Sequence, residues 1–297
     1  MTGIKRTAKR LRGIARALTQ KGGETAPPPE SAAAPVLDEY VAGMPSAQNA
    51  VDCLGGWNTA LPPEIGVQAG HAALYNDPRI LWAIGKFGSL AGKRVLELGP
   101  LEASHTSMLE QRRPMVLHAV EANKLSFLRC LIVKELLGLR AARFYLGDFA
   151  EWLRQPGESY DFIVGSGVLY HMADPIELLE LIAARADAFF LWTHYASETA
   201  MAEGDPRRSA FVGDVEVVSR RGVDIRLYGR SYWGAWKNKA FCGGMHDLHR
   251  WIERDDILAF IRALGFDEID IAFDDPAHQN GPSFAIFARR THPRPAD

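Results

Sequence analysis

Residues able to bind or activate a ligand fall where short apolar runs stop. Arg94 to Leu98 is such a run; it contains Glu97 and leads directly into Gly99-Pro100-Leu101-Glu102. A carboxylate near a strand end can accept hydrogen bonds from an ammonium group, and a glycine beside it lets a ligand approach the backbone. A second run, Met115 to Val120, ends in Glu121, at the distance from Gly99 where nucleoside-binding folds place an acid on a ribose hydroxyl pair. The third, Arg143 to Leu146, is followed by Gly147-Asp148-Phe149, which offers an acceptor for an adenine amino group and a ring beside its face. The fourth, Phe162 to Val164, continues into Gly165-Ser166-Gly167-Val168-Leu169-Tyr170-His171, and the fifth, Ala188 to Trp192, is followed by His194 and Tyr195. A neutral imidazole at either place can act as general base or orient an acceptor; it can equally cap a helix or satisfy a core carbonyl.

The elements that must position these residues follow from periodicity. The five runs alternate with helical segments, among them Leu125 to Leu137 and Pro175 to Ala186, the latter capped by Asp174. Right-handed crossovers then require a parallel sheet covered on both faces. Near the end, a helix from Arg254 to Leu264 stops at Gly265, and Glu268 to Phe273 and Ser283 to Ala288 flank a proline-containing loop. Two strands so joined pair antiparallel. The expected fold is therefore α/β: a doubly wound, mostly parallel seven-stranded sheet with a terminal antiparallel pair, spanning residues 93–290. An irregular segment, 36–92, reads as an N-terminal cap, with one clear helix begun by Asp77-Pro78 and striped by Ile80, Leu81, Ile84 and Phe87. Residues 195–250 exceed what a connection needs and read as a lid insertion, with a hairpin of Val215 to Ser219 and Val223 to Tyr228. Residues 291–297 form a tail.

The series VLELGP, VEAN, GDF and YDFIVGSGVLYHMADP resembles the class I methyltransferases that use S-adenosylmethionine, over about two thirds of the chain. The GVLYH run is also similar to that of the tRNA wobble-uridine carboxymethyltransferase group. The resemblance implies a Rossmann-like fold and S-adenosyl-L-methionine as cofactor. It implies that Glu97 and Gly99 hold the methionine part, Glu121 the ribose, Asp148 and Phe149 the adenine, and that Ser166 and Gly167 line the cofactor near its sulfur. The family's glycine-rich turn has glycine where this chain has Leu101 and Ala103, which implies a wider turn. Glu102 in that turn would repel a pyrophosphate but suit a sulfonium, which argues against a dinucleotide oxidoreductase. His171 and His194 are the candidates for a catalytic base.

With 34 basic against 36 acidic residues, the chain has no global field for nucleic acid, so the expected acceptor is a small molecule or a glycan, methylated on oxygen or nitrogen. RNA modification, and a pocket that binds the cofactor without turnover, are the two alternatives. His246 and His249 have a ligand-like spacing, but no metal site is expected from them. Tyr232, Trp233, Trp236 and Phe241, interleaved with Arg230, Lys237 and Lys239, can stack on a ring and grip an anion, or simply pack the insertion. Three widely spaced cysteines fit a reducing compartment, and no apolar stretch reaches membrane-spanning length, so a cytoplasmic location is expected. Residues 1–20 read as a basic amphipathic helix, which suggests peripheral contact with an anionic membrane surface; residues 21–35 read as a linker. The composition leaves the oligomeric state open.

Overall fold

The computed structural model describes residues 40–235 and 243–292. The chain divides into two compact units, Met1–Met44 and Pro45–Asp297, and the second holds the sheet and its helices. The expected basic helix and its linker, together with Trp236, Lys237, Lys239, Phe241 and Cys242, lie outside the described residues.

Five parallel strands, β1 (Arg94–Leu98), β2 (Val116–Glu121), β3 (Ala142–Leu146), β4 (Phe162–Ser166) and β5 (Ala188–His194), are joined by helical crossovers. Three strands of the insertion come next in the chain: β6 (Glu216–Arg220), β7 (Val223–Ser231) and β8 (Leu248–Ile252). The last two, β9 (Glu268–Asp275) and β10 (Ser283–Arg289), pair antiparallel, and β10 also runs antiparallel to β5. The seven-stranded sheet has the order β3-β2-β1-β4-β5-β10-β9. Strand order reverses between β1 and β4, and at such a switch point the diverging loops leave a crevice beyond the carboxyl ends of the strands.

Side chains alternate across the strands and supply two cores. Leu96, Leu98, Ile163 and Leu191 face a core closed by α6 (Pro175–Arg185) and α7 (Arg254–Ala263). Val95, Leu117, Phe162 and Phe190 face the opposite one, closed by α2 (Pro78–Phe87) and α3 (Ser104–Glu110). A short α1 (Ala47–Asp52) contacts α4 (Lys124–Leu137). The expected caps are formed: Asp77 accepts the Arg79 N–H at the start of α2, and Asp174 accepts that of Glu177 in α6. Within α2, Leu81 is exposed and Ala83 takes its place in the buried stripe, because positions 80, 83 and 84 face the sheet.

The expected hairpin exists as β6 and β7. A third strand extends it, since β8 pairs antiparallel to β7 and completes a separate three-stranded sheet. Leu-His-Arg-Trp-Ile lacks the polar and apolar alternation that marks a strand, and its pairing partner lies some twenty residues away in sequence. Among the described residues no helix is long and apolar enough to cross a membrane.

Candidate functional site

The turn after β1 is where the chain departs most from expectation. Gly99, Leu101 and Ala103 have φ values of 64°, 54° and 59°, so all three glycine positions of the turn adopt left-handed backbone although two carry side chains. The fold therefore holds two non-glycine residues in a conformation that costs them about 1 kcal/mol or more each. Gly99 is the most demanding of the three for a side chain, because a Cβ there would combine the positive φ with a tight 3.0 Å approach to Val168 Cγ1 across the switch point.

Glu121, at the end of β2, fastens this turn. One of its oxygens accepts the Leu101 N–H at 3.0 Å and the other that of Asn123 at 2.8 Å. Burial raises its pKa. Each oxygen keeps a lone pair, and the residue lines a cavity of about 620 Å³ together with Gly99, Asp148, Phe149, Gly167 and His171. Asp148 caps α5 (Phe149–Arg154) through one oxygen, accepting the Ala150 N–H at 2.8 Å. Asn123, which sequence reasoning passed over, caps α4 at the same wall. Asp174 and Glu177 add two further carboxylates and Arg154, paired with Glu177 at 2.5 Å, one cation, so this crevice is lined by four acids and a single arginine. A larger cavity, about 770 Å³, lies over the middle of β2 and β3 around His118, Tyr145 and Trp152, away from the carboxyl ends where ligands of such sheets bind.

Two of the expected cofactor residues stand elsewhere. Strand alternation turns Glu97 toward α3, where Thr106 Oγ1 donates to it; it lines neither cavity of the switch point, and burial pushes its pKa up to about 7. Glu102 is fully buried, accepting the N–H groups of Asn58 (3.0 Å) and Thr59 (2.7 Å) and pairing with Arg129 at 3.1 Å. The assignment of Glu102 to a sulfonium is thus corrected: its carboxylate is consumed in anchoring the segment before α2.

Beyond Gly167 a second cavity opens, about 720 Å³, bounded by Ser166, Tyr170, Trp192, His194, Arg230 and Trp251 among others. Gly167 and His171 line both cavities, so the two meet there. Ser166 belongs to this second cavity rather than to the crevice. His171 follows β4 in a 3-10 turn, Leu169–His171, and its Nδ1 shares a hydrogen bond with Tyr232 Oη. His194 Nδ1 lies 2.8 Å from the Gly281 carbonyl, which only accepts, so Nδ1 carries the proton and Nε2 the lone pair. Its ring stacks on Trp251, with centroids 5.1 Å apart and planes at 6°. Burial pushes the His171 pKa down to about 3 and that of His194 to about 4, so both are neutral at pH 7. Of the aromatic and basic cluster in the insertion, Arg230 and Tyr232 line the cavity, whereas Trp233 is exposed. Trp192 and Trp251 carry no signal of their own in the sequence, because apolar strand residues look alike whether they face a core or a cavity.

No protein-family model matches the chain, and no curated protein does. Solved structures do. The N-terminal domain of EvdMO1 with SAH bound superposes with a TM-score of 0.62 at 20% identity, over 82% of this chain and 95% of that one. Full-length EvdMO1 matches over 82% of this chain but 46% of its own, with a TM-score of 0.56 at 19% identity. An S-adenosylmethionine-dependent methyltransferase from Mesorhizobium loti gives a TM-score of 0.50 at 14% identity, over 73% of this chain and 100% of that one. At these identities the likeness concerns backbone architecture, and it agrees with the strand order and the terminal antiparallel pair: the chain has the Rossmann-like fold of the S-adenosylmethionine-dependent methyltransferases.

Proposed function

We propose that the chain is an S-adenosylmethionine-dependent methyltransferase acting on an oxygen or nitrogen atom of a small-molecule or glycan acceptor. The observation that supports this best is the meeting, at Gly167 and His171, of an acid-lined crevice at the switch point with a cavity walled by histidines and aromatic rings. The donors in the crevice fit the cofactor's chemistry: Glu121 has acceptor capacity for a ribose diol, Asp148 for an amino group, Phe149 offers a ring, and the acids as a set favour a cation. When bound, S-adenosylmethionine supplies an electrophilic methyl group on a sulfonium. The chain's own part is positioning, and alignment in a closed site contributes about 7 to 11 kcal/mol in well-oriented systems. His194 Nε2 is available to accept a hydroxyl's hydrogen bond and then its proton; His171 sits at the junction for the same role. A crystal of the EvdMO1 domain grown in the presence of SAH and D-fucose makes a sugar ring a natural first acceptor to test.

The test is incubation of the full chain with methyl-labelled cofactor and fractionated small-molecule and glycan extracts. Transfer of label to a discrete product supports the reading; SAH binding without transfer to any fraction marks a binding module, and salt-sensitive RNA binding with label in RNA marks the alternative acceptor. Once an acceptor is found, His171→Ala or His194→Ala should slow turnover more than about tenfold. If neither does, the base assignment is wrong.

A further inference from the structure

The two cavities differ in charge. Four carboxylates line the crevice against one arginine, Arg154, which pairs with Glu177, whereas the second cavity has no carboxylate on its wall but carries Arg79, Arg207 and Arg230. Two of these are already paired, Arg79 with Asp77 at 2.6 Å and Arg207 with Asp205 at 2.6 Å. Among the described residues no carboxylate lies within ion-pair distance of Arg230. Its guanidinium carbon lies over Trp251, 3.7 Å from the ring centroid, with the Phe211 ring centroid at 4.9 Å. Arg230 Nε, Arg230 Nη1 and Trp251 Nε1 are buried donors without a partner among the described residues, half of the side-chain atoms in that condition, and they belong to two touching residues of one cavity. Burial lowers the Arg230 pKa to about 10, which leaves it charged at neutral pH.

A desolvated cation with orphaned donors is costly unless a partner arrives, and stacking on an indole offsets only part of that cost. From this geometry we infer that the acceptor carries an anionic group, a carboxylate or a phosphate, which Arg230 anchors in the second cavity. The inference rests on the methyltransferase reading for the word acceptor, though the anion site itself does not. Arg230 and the three histidines His171, His194 and His249 stand around the same space, and Arg230 is one cause of the lowered pKa of each. An anion on the guanidinium relieves that repulsion and makes the neighbouring imidazoles better proton acceptors. Charge segregation of this kind also sorts ligands: the cationic cofactor is drawn to the acidic crevice and the anionic acceptor to the other side of Gly167.

Calorimetric titration of the SAH-saturated full chain with D-glucuronate, glucose 6-phosphate and D-glucose tests it. At least one anion should bind about tenfold or more tightly than glucose, the ratio expected from one charge-assisted contact, and the winning anion separates carboxylate from phosphate. Arg230→Gln should abolish that preference with SAH affinity unchanged, and Arg230→Lys, which keeps the charge but loses the fork, should retain part of it. Glucose binding as tightly as both anions, no detectable anion binding, or an anion affinity indifferent to Arg230→Gln each overturns the inference. If Arg230→Gln does not fold, the wild-type preference and the lysine variant decide. Repeating the anion arms without SAH separates the two readings: a chain that ignores SAH yet prefers anions through Arg230 keeps the site and loses the methyltransferase assignment.

Discussion

Two glutamates, one in the turn after β1 and one fastening it, have opposite employment, and substitution should expose it. Glu102 has no contact left to give a ligand, since both its oxygens serve Asn58, Thr59 and Arg129. Glu102→Ala leaves Arg129 buried and unpaired and should destabilise the fold by about 3 to 5 kcal/mol in urea unfolding, with little change in the SAH affinity of the folded protein. Glu121→Gln should do the reverse, weakening SAH binding by about tenfold to a hundredfold in calorimetry, as loss of hydrogen bonds to a charged group does, with a smaller effect on stability. A large affinity loss in the first variant and none in the second would reassign the pair. Both residues are visible in the sequence as acids near a glycine turn. Their separation depends on which way each side chain points, and a left-handed Leu101 and Ala103 set that locally in a manner no propensity predicts.

At the scale of the element, the turn between β1 and α3 makes the sharpest demand on backbone. Gly99→Ala meets both a positive φ and Val168 Cγ1, and should cost about 1 to 2 kcal/mol and abolish SAH binding if the crevice serves the cofactor. Ala103→Gly should behave unlike an ordinary alanine-to-glycine change: relief of the left-handed strain offsets the entropy gained by the unfolded chain, so stability should move by less than about 1 kcal/mol. A loss well above that in denaturant unfolding would show that the methyl group's packing against Val51, Cys130 and Val133 dominates. The strands of the main sheet and the helices α2, α4, α6 and α7 are legible in the sequence to within a residue or two, because caps such as Asp77-Pro78 and Asp174-Pro175 and runs of apolar residues are local signals. Strand β8 is not, because its only strong credential is its partner β7.

For the molecule as a whole, pH should act through groups buried in one protonation state. His171, His194 and His249 are held neutral, with pKa values of about 3, 4 and 4, below the unfolded value of 6.5. Their contribution to stability is present above pH 6.5 and is lost as the pH falls toward 4, on the order of 3 kcal/mol for His194. Glu97 opposes them: with its pKa raised to about 7, its contribution is present below about 4.5 and lost as the pH rises through 7. Unfolding midpoints should therefore drop on acidification, less steeply in His194→Asn and more steeply in Glu97→Gln; identical slopes in all three proteins would refute the coupling. The amino-acid order by itself determined the α/β class, the strands of the main sheet and the row of residues at the carboxyl ends, since all of these follow from periodicity and near-neighbour chemistry. Only the tertiary structure decided that Glu97 and Glu102 face inward, that Gly167 and His171 join two cavities of unlike charge, and that Arg230 lacks a carboxylate among the described residues. These are relations between side chains distant in sequence, and their directions are set by strand alternation, packing and the return of the chain across the sheet.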